Sequence, residues 1–156
     1  PWRTTAILVL AAPVIGAAKA AVRRFQERLD DHFLVALGDV QRNDPAAGYR
    51  LAESTAEIHA AELLLYDAAA RLDQLGGVEN VDPVLNASII RDCGFGVKTL
   101  AKAVDRLYEA SGANAMRADE PIQRLWRDVN AARSHAILTW DHAANMYSRA
   151  LLDSLQ

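Results

Sequence analysis

Three prolines that each follow an acidic residue divide this chain into segments. The three pairs are Asp44-Pro45, Asp82-Pro83 and Glu120-Pro121. An acidic side chain can accept hydrogen bonds from the first free amides of a helix. Proline suits the first helical turn because its missing amide hydrogen is not needed there. The pattern therefore predicts that helices begin at these three points.

Between these points, apolar residues recur at helical spacing in segments rich in alanine and leucine. We expect long helices over about residues 4–38, 45–75 and 83–111, a short one over 121–135, and a closing one from 140. Pro13 should bend the first helix or mark its true start. The second helix should end at Gly76-Gly77. No segment has a clear strand pattern, so the prediction is an all-α, up-and-down bundle of three long helices plus one or two shorter ones.

The expected inward-facing residues follow from this spacing. In the first helix they are Phe25, Leu29, Phe33 and Leu37, and in the second Leu51, Ile58, Leu65 and Leu72. In the third they are Leu85, Ile89, Cys93, Val97, Leu100, Val104 and Leu107, and in the last Ala144, Tyr147, Leu151 and Leu152. Gly94 and Gly96 interrupt the third helix, where glycine typically permits close approach of a neighbour.

Composition narrows the class of protein. The chain has 156 residues, 51% of them hydrophobic, which is enough for one domain with its own core. The net charge of −3 comes from mixed signs, without the basic stripe that nucleic-acid binding requires. Cys93, the single cysteine, excludes an internal disulfide and fits a reducing compartment, so we expect a cytoplasmic protein.

Residues 6–18 are almost entirely apolar and resemble a signal peptide. The run is shorter than the roughly 20 residues that a membrane span needs. It continues without a break into an amphipathic pattern, so we interpret it as a helix of the bundle and expect no membrane partner.

Common catalytic motifs are absent from the sequence: there is no HExxH, CxxC, phosphate-binding glycine loop or GxSxG. There is also no Glu-x-x-His pair of the kind used by helical di-iron sites, so we expect no metal. Cys93 lies on an apolar stripe and is interpreted as a small buried hydrophobe.

The segment 121–135 differs from the others because it is short, charged and ends in a histidine. In a continuous helix, Asp128 and His135 would lie two turns apart on one face. We hypothesise a groove for a flat polar molecule, floored by Ala131 and Ala132 and edged by Arg127, Asp128 and His135. The alternative is that the Arg-Asp pair forms ordinary ion pairs and that the helix dipole favours the histidine.

The run QRLWRDVNAARSHAIL, with AVDRLYEASGANA before it and WDHAANMYSRALL after it, resembles a known domain. This is the C-terminal helical domain of flavin-dependent monooxygenases with the acyl-CoA dehydrogenase fold, the oxygenase components of two-component systems such as p-hydroxyphenylacetate hydroxylase. The segment LAAPVIGAAKAAVRRF is similar to the first long helix of that domain. The resemblance covers essentially the whole chain.

The resemblance implies that residues 1–156 are the C-terminal domain of a longer flavoenzyme, without its N-terminal helical and middle β domains. It implies reduced FMN or FAD from a separate reductase, molecular oxygen as co-substrate, a homotetramer, and hydroxylation of an aromatic or related small molecule through a C4a-hydroperoxyflavin. His135 falls on the family's active-site histidine. The residues that the resemblance places in flavin binding are Arg127, Asp128, Ser111, Gly112, Ala113 and Asn114.

Two other functions stay open. An acyl-CoA dehydrogenase would need a carboxylate base, which AARSHAIL lacks. Glu109 lies in a different helix from that segment and is not accepted as the base, whereas Glu27 in the first helix is not excluded. The chain could also be a non-catalytic helical assembly module. We expect the isolated chain to be inactive because the domain covering the flavin would be missing.

Overall fold

The computed structural model describes residues 2–35, 38–76 and 81–156. Within these ranges the chain forms five α-helices and a short antiparallel hairpin. The helices are α1 Trp2–Asp31, α2 Pro45–Gln74, α3 Pro83–Ala110, α4 Pro121–Arg133 and α5 Trp140–Asp153. The hairpin consists of β1 Phe33–Leu34 and β2 Asp39–Val40, with Phe33 opposite Val40. The all-α bundle is confirmed, but the expectation that the chain contains no strand was wrong.

Helix starts were predicted well where a side chain caps the helix. The carboxylate of Asp44 accepts a hydrogen bond from the amide of Ala46 at 3.0 Å. Asp82 accepts bonds from the first free amides of α3 in the same way. Glu120 precedes α4 without capping it and instead pairs with Arg24 of α1 at 2.9 Å. Of the glycines predicted to end α2, Gly76 has a left-handed φ of 52°, and Gly77 lies outside the described residues.

The centre of the bundle is α3, which packs against the other four helices. Its predicted stripe is buried except at Leu85, which is half-buried. Its two glycines lie where neighbouring helices come closest: a Cβ on Gly96 would lie 3.0 Å from Leu65 of α2, and one on Gly94 would lie 2.6 Å from Ala143 of α5. On α2, the middle two of the four predicted heptad residues are buried and the outer two are half-buried.

Helix α1 ends seven residues before its predicted end. The backbone turns after Asp31, and the carbonyl of His32 accepts a hydrogen bond from the amide of Gln41 at 2.8 Å. The Gln41 side chain in turn donates to the carbonyl of Ala110 at the end of α3, at 2.7 Å. These contacts place Phe33 in β1, where it is 55% exposed rather than buried. Leu37 of the predicted stripe lies outside the described residues.

The apolar run in α1 serves the bundle. One face of the helix is buried against the neighbouring helices. The buried residues of this face include Ile7, Ala11, Val14, Ala18, Ala21 and Phe25. Pro13 lies on the exposed side and does not interrupt the helix. By length and composition alone, α1 would be able to cross a membrane, a property shared by core helices of globular proteins and by signal sequences.

The inward face of α5 was predicted correctly in part. Ala143 is fully buried, and Ala150 lies with Ser154 beside the start of α3. The prediction was wrong for Leu151 and Leu152, which are 38% and 60% exposed. The other two predicted residues of α5, Ala144 and Tyr147, are half-buried.

Candidate functional site

His135 lies on a turn between α4 and α5 and not on α4 itself. The helix ends at Arg133, two residues earlier than predicted. The His135 amide donates to the carbonyl of Ala132 at 3.1 Å, and its carbonyl accepts bonds from the amides of Leu138 and Thr139 at 2.8 and 3.1 Å. The histidine backbone is therefore held between the end of α4 and the two residues that precede α5, while its side chain is exposed.

One carboxylate on α3 receives three side-chain donors from α4. Asp105 Oδ1 accepts bonds from Trp126 Nε1 at 2.7 Å and from Asn130 Nδ2 at 3.0 Å. Asp105 Oδ2 accepts a bond from Arg133 Nη1 at 3.0 Å. The Trp126 ring also stacks on Tyr108 of α3, with 4.7 Å between ring centroids. This cluster was not predicted, although the spacing of 126, 130 and 133 places all three donors on one helix face.

The predicted alanine-floored groove takes a different form. Asp128 and Ala132 line a groove of about 220 Å³ whose other wall is α1, including Pro13 and Ala17. Ala131, Arg127 and His135 do not line it. The hypothesis of one groove shared by the Arg-Asp pair and the histidine was therefore wrong, because the end of α4 takes His135 off the helix face.

The Arg-Asp pair is largely available to a ligand. The side chain of Asp128 is 61% exposed, and its one ion pair among the described residues is a 3.8 Å contact with Arg124, one turn earlier on α4. Arg127 is exposed and makes no side-chain hydrogen bond or ion pair within the part of the chain that the structure describes. Its guanidinium can donate to a planar polar group from outside the bundle.

The segment SGANA lies at the opposite end of α4 from His135. Ser111 is buried, and its hydroxyl donates to the carbonyl of Leu107 at 2.8 Å. Gly112 has a φ of 69° and open space beside it, and Ala113 and Asn114 are exposed. Trp126, early in α4, stacks on Tyr108, whereas Arg133, at the end of α4, bonds the earlier α3 residue Asp105. Helices α3 and α4 are therefore antiparallel. The 13-residue α4 therefore separates this segment from His135 by roughly 20 Å.

The rival candidates are two exposed carboxylates and one buried thiol. Glu27 is 65% exposed and pairs with Arg24 at 3.3 Å, and Glu109 is exposed. Cys93 is fully buried, and burial raises the pKa of its thiol to about 12. Among the described residues, no cluster of three or more His, Cys, Asp or Glu side chains is placed to hold a metal ion.

The available groups fit a flavin. An exposed imidazole can donate or accept a hydrogen bond, and an exposed guanidinium can donate to ring carbonyls or phosphate. The open backbone at Gly112 permits close approach of a cofactor. Within the part of the chain that the structure describes, the side chains of His135 and Arg127 make no hydrogen bond that a ligand would have to break.

Comparison with known proteins identifies the domain. Residues 8–140 match the model for the acyl-CoA dehydrogenase C-terminal domain. The chain is 33% identical over 138 residues to the flavin-dependent monooxygenase oxygenase subunit HsaA of Mycobacterium tuberculosis, covering 87% of the chain and 35% of that protein. It is 30% identical over 155 residues to the oxygenase component of the FADH2-dependent resorcinol hydroxylase of a Rhizobium species, covering 92% of the chain and 37% of that protein.

Solved structures agree with this assignment. The crystal structure of 3-HSA hydroxylase from Rhodococcus sp. RHA1 superimposes with a TM-score of 0.82 at 30% identity, over 98% of this chain and 38% of that one. An acyl-CoA dehydrogenase from Geobacillus kaustophilus superimposes with a TM-score of 0.74 at 14% identity, over 96% of this chain and 37% of that one. At that identity the likeness shows the fold alone. The chain thus spans little more than a third of the relatives it matches. The matched domain model covers most of its length, and the chain belongs to the family of acyl-CoA dehydrogenase C-terminal domains.

Proposed function

We propose that this chain is the C-terminal domain of the oxygenase component of a two-component monooxygenase, which uses reduced flavin and oxygen to hydroxylate an aromatic or related small molecule. The sequence relatives support this reading over a dehydrogenase. Relatives with identities of 30% and 33% are named as oxygenase components. Acyl-CoA dehydrogenase structures have identities of 14% and 19%, a level that carries the fold only.

The exposed imidazole of His135 is the structural observation that carries the proposal. The His135 backbone is bonded to Ala132 of α4 and to the amides of Leu138 and Thr139, the two residues that precede α5. The turn and the helix end before it, residues 131–138, contain no carboxylate that would serve as the base of a dehydrogenase. When bound, reduced flavin supplies the electrons that activate molecular oxygen. His135 would donate a hydrogen bond toward the oxygen-reactive side of the ring and hold or return one proton there.

Arg127 and Asp128 would bind polar groups of the flavin or of the domain that covers it. Both are exposed on α4, and neither has a strong partner among the described residues. We propose that the arginine donates to carbonyl or phosphate oxygens and that the aspartate accepts from ring or ribityl donors. The cofactor is proposed to be FMN or FAD in its reduced form.

The segment Ser111, Gly112, Ala113 and Asn114 would contact a cofactor with its backbone. It lies roughly 20 Å from His135 along α4, so both regions cannot contact one flavin ring. We propose that it reaches the flavin of a neighbouring copy in a homotetramer, or the distant end of an FAD in the same copy. The remaining parts of the proposal are a separate reductase, further N-terminal domains and a cytoplasmic location.

The proposal can be tested on the full-length protein that contains this chain. Its flavin is reduced anaerobically and mixed with oxygenated buffer while the absorbance of oxidised flavin is followed. A monooxygenase should show a delay before oxidised flavin appears, longer than for free reduced flavin. A second sample carries oxidised flavin and is mixed anaerobically with acyl-CoA thioesters. Bleaching of that flavin, with no delay in the first sample, would identify a dehydrogenase and overturn the proposal.

A further inference from the structure

Asp105 gathers three donors that are spread along α4. Trp126, Asn130 and Arg133 donate to its two oxygens at 2.7, 3.0 and 3.0 Å. The last of these donors is also the last residue of α4, two positions before His135. A single carboxylate therefore restrains α4 at three points on the side facing α3, one of them at its C-terminal end.

Apolar packing covers only part of α4. The helix has 13 residues, of which Ile122 and Val129 are buried and Leu125, Trp126 and Ala132 are half-buried against the core. A helix of this length is marginal in water without tertiary contacts. Hydrogen bonds to a charged acceptor contribute more than neutral ones, and Asp105 supplies three of them on the side facing α3. The polar cluster is therefore a main restraint on the part of α4 nearest the histidine.

The same helix, α3, also holds the far side of the His135 turn. The place where a Gly94 Cβ would lie is 2.6 Å from the Ala143 Cβ and 3.7 Å from the carbonyl oxygens of Leu138 and Thr139. Those two residues donate their amides to the His135 carbonyl. The turn is thus held between Asp105 on one side and Gly94 on the other.

We propose that Asp105 is a positioning residue for His135, a role that rests on the function proposed above. The carboxylate accepts all three bonds because both of its oxygens are acceptors. In Asp105→Asn, one oxygen is replaced by an NH2 group that faces a donor of α4. At least one of the three hydrogen bonds is lost. If the amide oxygen keeps its bonds to Trp126 and Asn130, the lost bond is the one to Arg133, at the end of α4.

The first test measures the turn without using the reaction. Hydrogen exchange of the full-length protein is compared for wild type, Asp105→Asn and the control Glu109→Gln, which alters an exposed carboxylate one turn further along α3. Amides of residues 134–139 should exchange on the order of tenfold faster in Asp105→Asn. This corresponds to a local opening free energy that is lower by about 1.4 kcal/mol. Amides of α2 should be unchanged in both variants. Unchanged exchange at 134–139, or an equal rise throughout the bundle, would overturn the proposal.

The second test connects the turn to the reaction. Reduced enzyme is mixed with oxygen and substrate, and hydroxylated product is compared with hydrogen peroxide. A displaced catalytic group commonly costs on the order of tenfold or more, so peroxide should replace product in Asp105→Asn but not in Glu109→Gln. Arg133→Gln removes only the bond nearest His135 and should shift the ratio in the same direction if Asp105→Asn does not fold. A wild-type ratio in the folded variants would contradict the positioning role.

The two tests separate the failure of this proposal from failure of the proposed function. If the wild-type protein gives no hydroxylated product with any phenolic substrate and shows no delay in flavin oxidation, the oxygenase function fails. The exchange experiment still reports whether Asp105 holds the His135 turn. If the wild type hydroxylates and Asp105→Asn retains both its exchange pattern and its product ratio, only the positioning role fails.

Discussion

Gly94 of α3 lies directly against Ala143 of α5, so that a Cβ on the glycine would be 2.6 Å from the alanine Cβ. Real Cβ atoms essentially never come that close, and the neighbouring atom belongs to a short side chain that cannot rotate away. The absence of one methyl group therefore sets the distance between α3 and α5. This distance also fixes the start of α5, beside the turn that carries His135.

Gly94→Ala should destabilise the protein although alanine is the better helix former. The helix propensity gain is up to about 1 kcal/mol, and overpacking a core commonly costs about 1–3 kcal/mol. We expect a net loss of about 1–2 kcal/mol in the free energy of unfolding, measured by urea denaturation.

The matched control for this substitution is Gly16→Ala. Gly16 lies within α1, is exposed, and has nothing within 4 Å of the added Cβ. The Gly16→Ala substitution should therefore raise the free energy of unfolding by about 0.5–1 kcal/mol. If both variants were equally stabilised, the close contact between α3 and α5 would not exist in solution.

Asp92 is a buried carboxylate that connects three helices. It is 5% exposed on α3, is bonded by Arg71 of α2, and accepts a bond from Arg91 Nε at 2.8 Å. The Arg91 guanidinium lies 4.2 Å from the ring centroid of Tyr147 of α5. Asp92→Asn should cost about 3 kcal/mol, the lower end of the range for a broken buried ion pair, because both guanidinium groups are partly exposed.

The corresponding surface variant is Asp67→Asn. Asp67 pairs with the same Arg71 at 2.8 Å but is 64% exposed, so its loss should change the free energy of unfolding by less than about 0.5 kcal/mol. Thermal and urea unfolding of the two variants give the comparison. A loss in Asp92→Asn no greater than in Asp67→Asn would show that burial does not strengthen this cluster.

The parts of the fold that depend on short-range signals were predicted from the sequence. Asp44 and Asp82 cap their helices because a cap needs only the two or three residues that follow it. The end of α1 was missed because it depends on a remote contact, the bond from Gln41 to the carbonyl of Ala110. Leu151 and Leu152 were wrongly predicted to face inward because apolar residues lie on more than one side of α5, and only packing on α3 selects the buried side.

The site was predicted in part, for the same physical reason. The resemblance singled out His135, and the structure places it exposed on a turn with a fixed backbone. Its role at a flavin stays a prediction. Asp105 was missed because its three partners are 21 to 28 residues away, and only the packing of α4 on α3 brings them together.

The thiol of Cys93 should be inert in the folded protein. Burial raises its pKa to about 12 from the ordinary value of 9.0, so almost no thiolate is present near neutral pH. A thiol reagent at pH 8 should label Cys93 only at the rate at which the bundle opens, and completely in denaturant. Labelling of the native protein as fast as a free thiol would show that α3 is not packed as described.

The raised pKa of Cys93 also predicts that the protein loses stability as the pH rises above about 9. The folded state holds the thiol proton more tightly than the unfolded chain does. The resulting stability is complete below pH 9 and is lost as the pH rises from about 9 toward 12. Between pH 8 and 10.5, the unfolding free energy should therefore fall more steeply in wild type than in Cys93→Ala. Equal slopes would mean that the thiol is not buried.

The oxygen reaction of the reduced, flavin-loaded full-length protein tests the central claim most directly. Wild type, His135→Asn and the control His59→Asn, which changes an exposed histidine on α2, are each mixed with oxygen while oxidised flavin absorbance is followed. The delay before oxidised flavin appears should shorten on the order of tenfold or more in His135→Asn and stay unchanged in His59→Asn. Indistinguishable traces for wild type and His135→Asn would contradict the placement of His135 at the flavin.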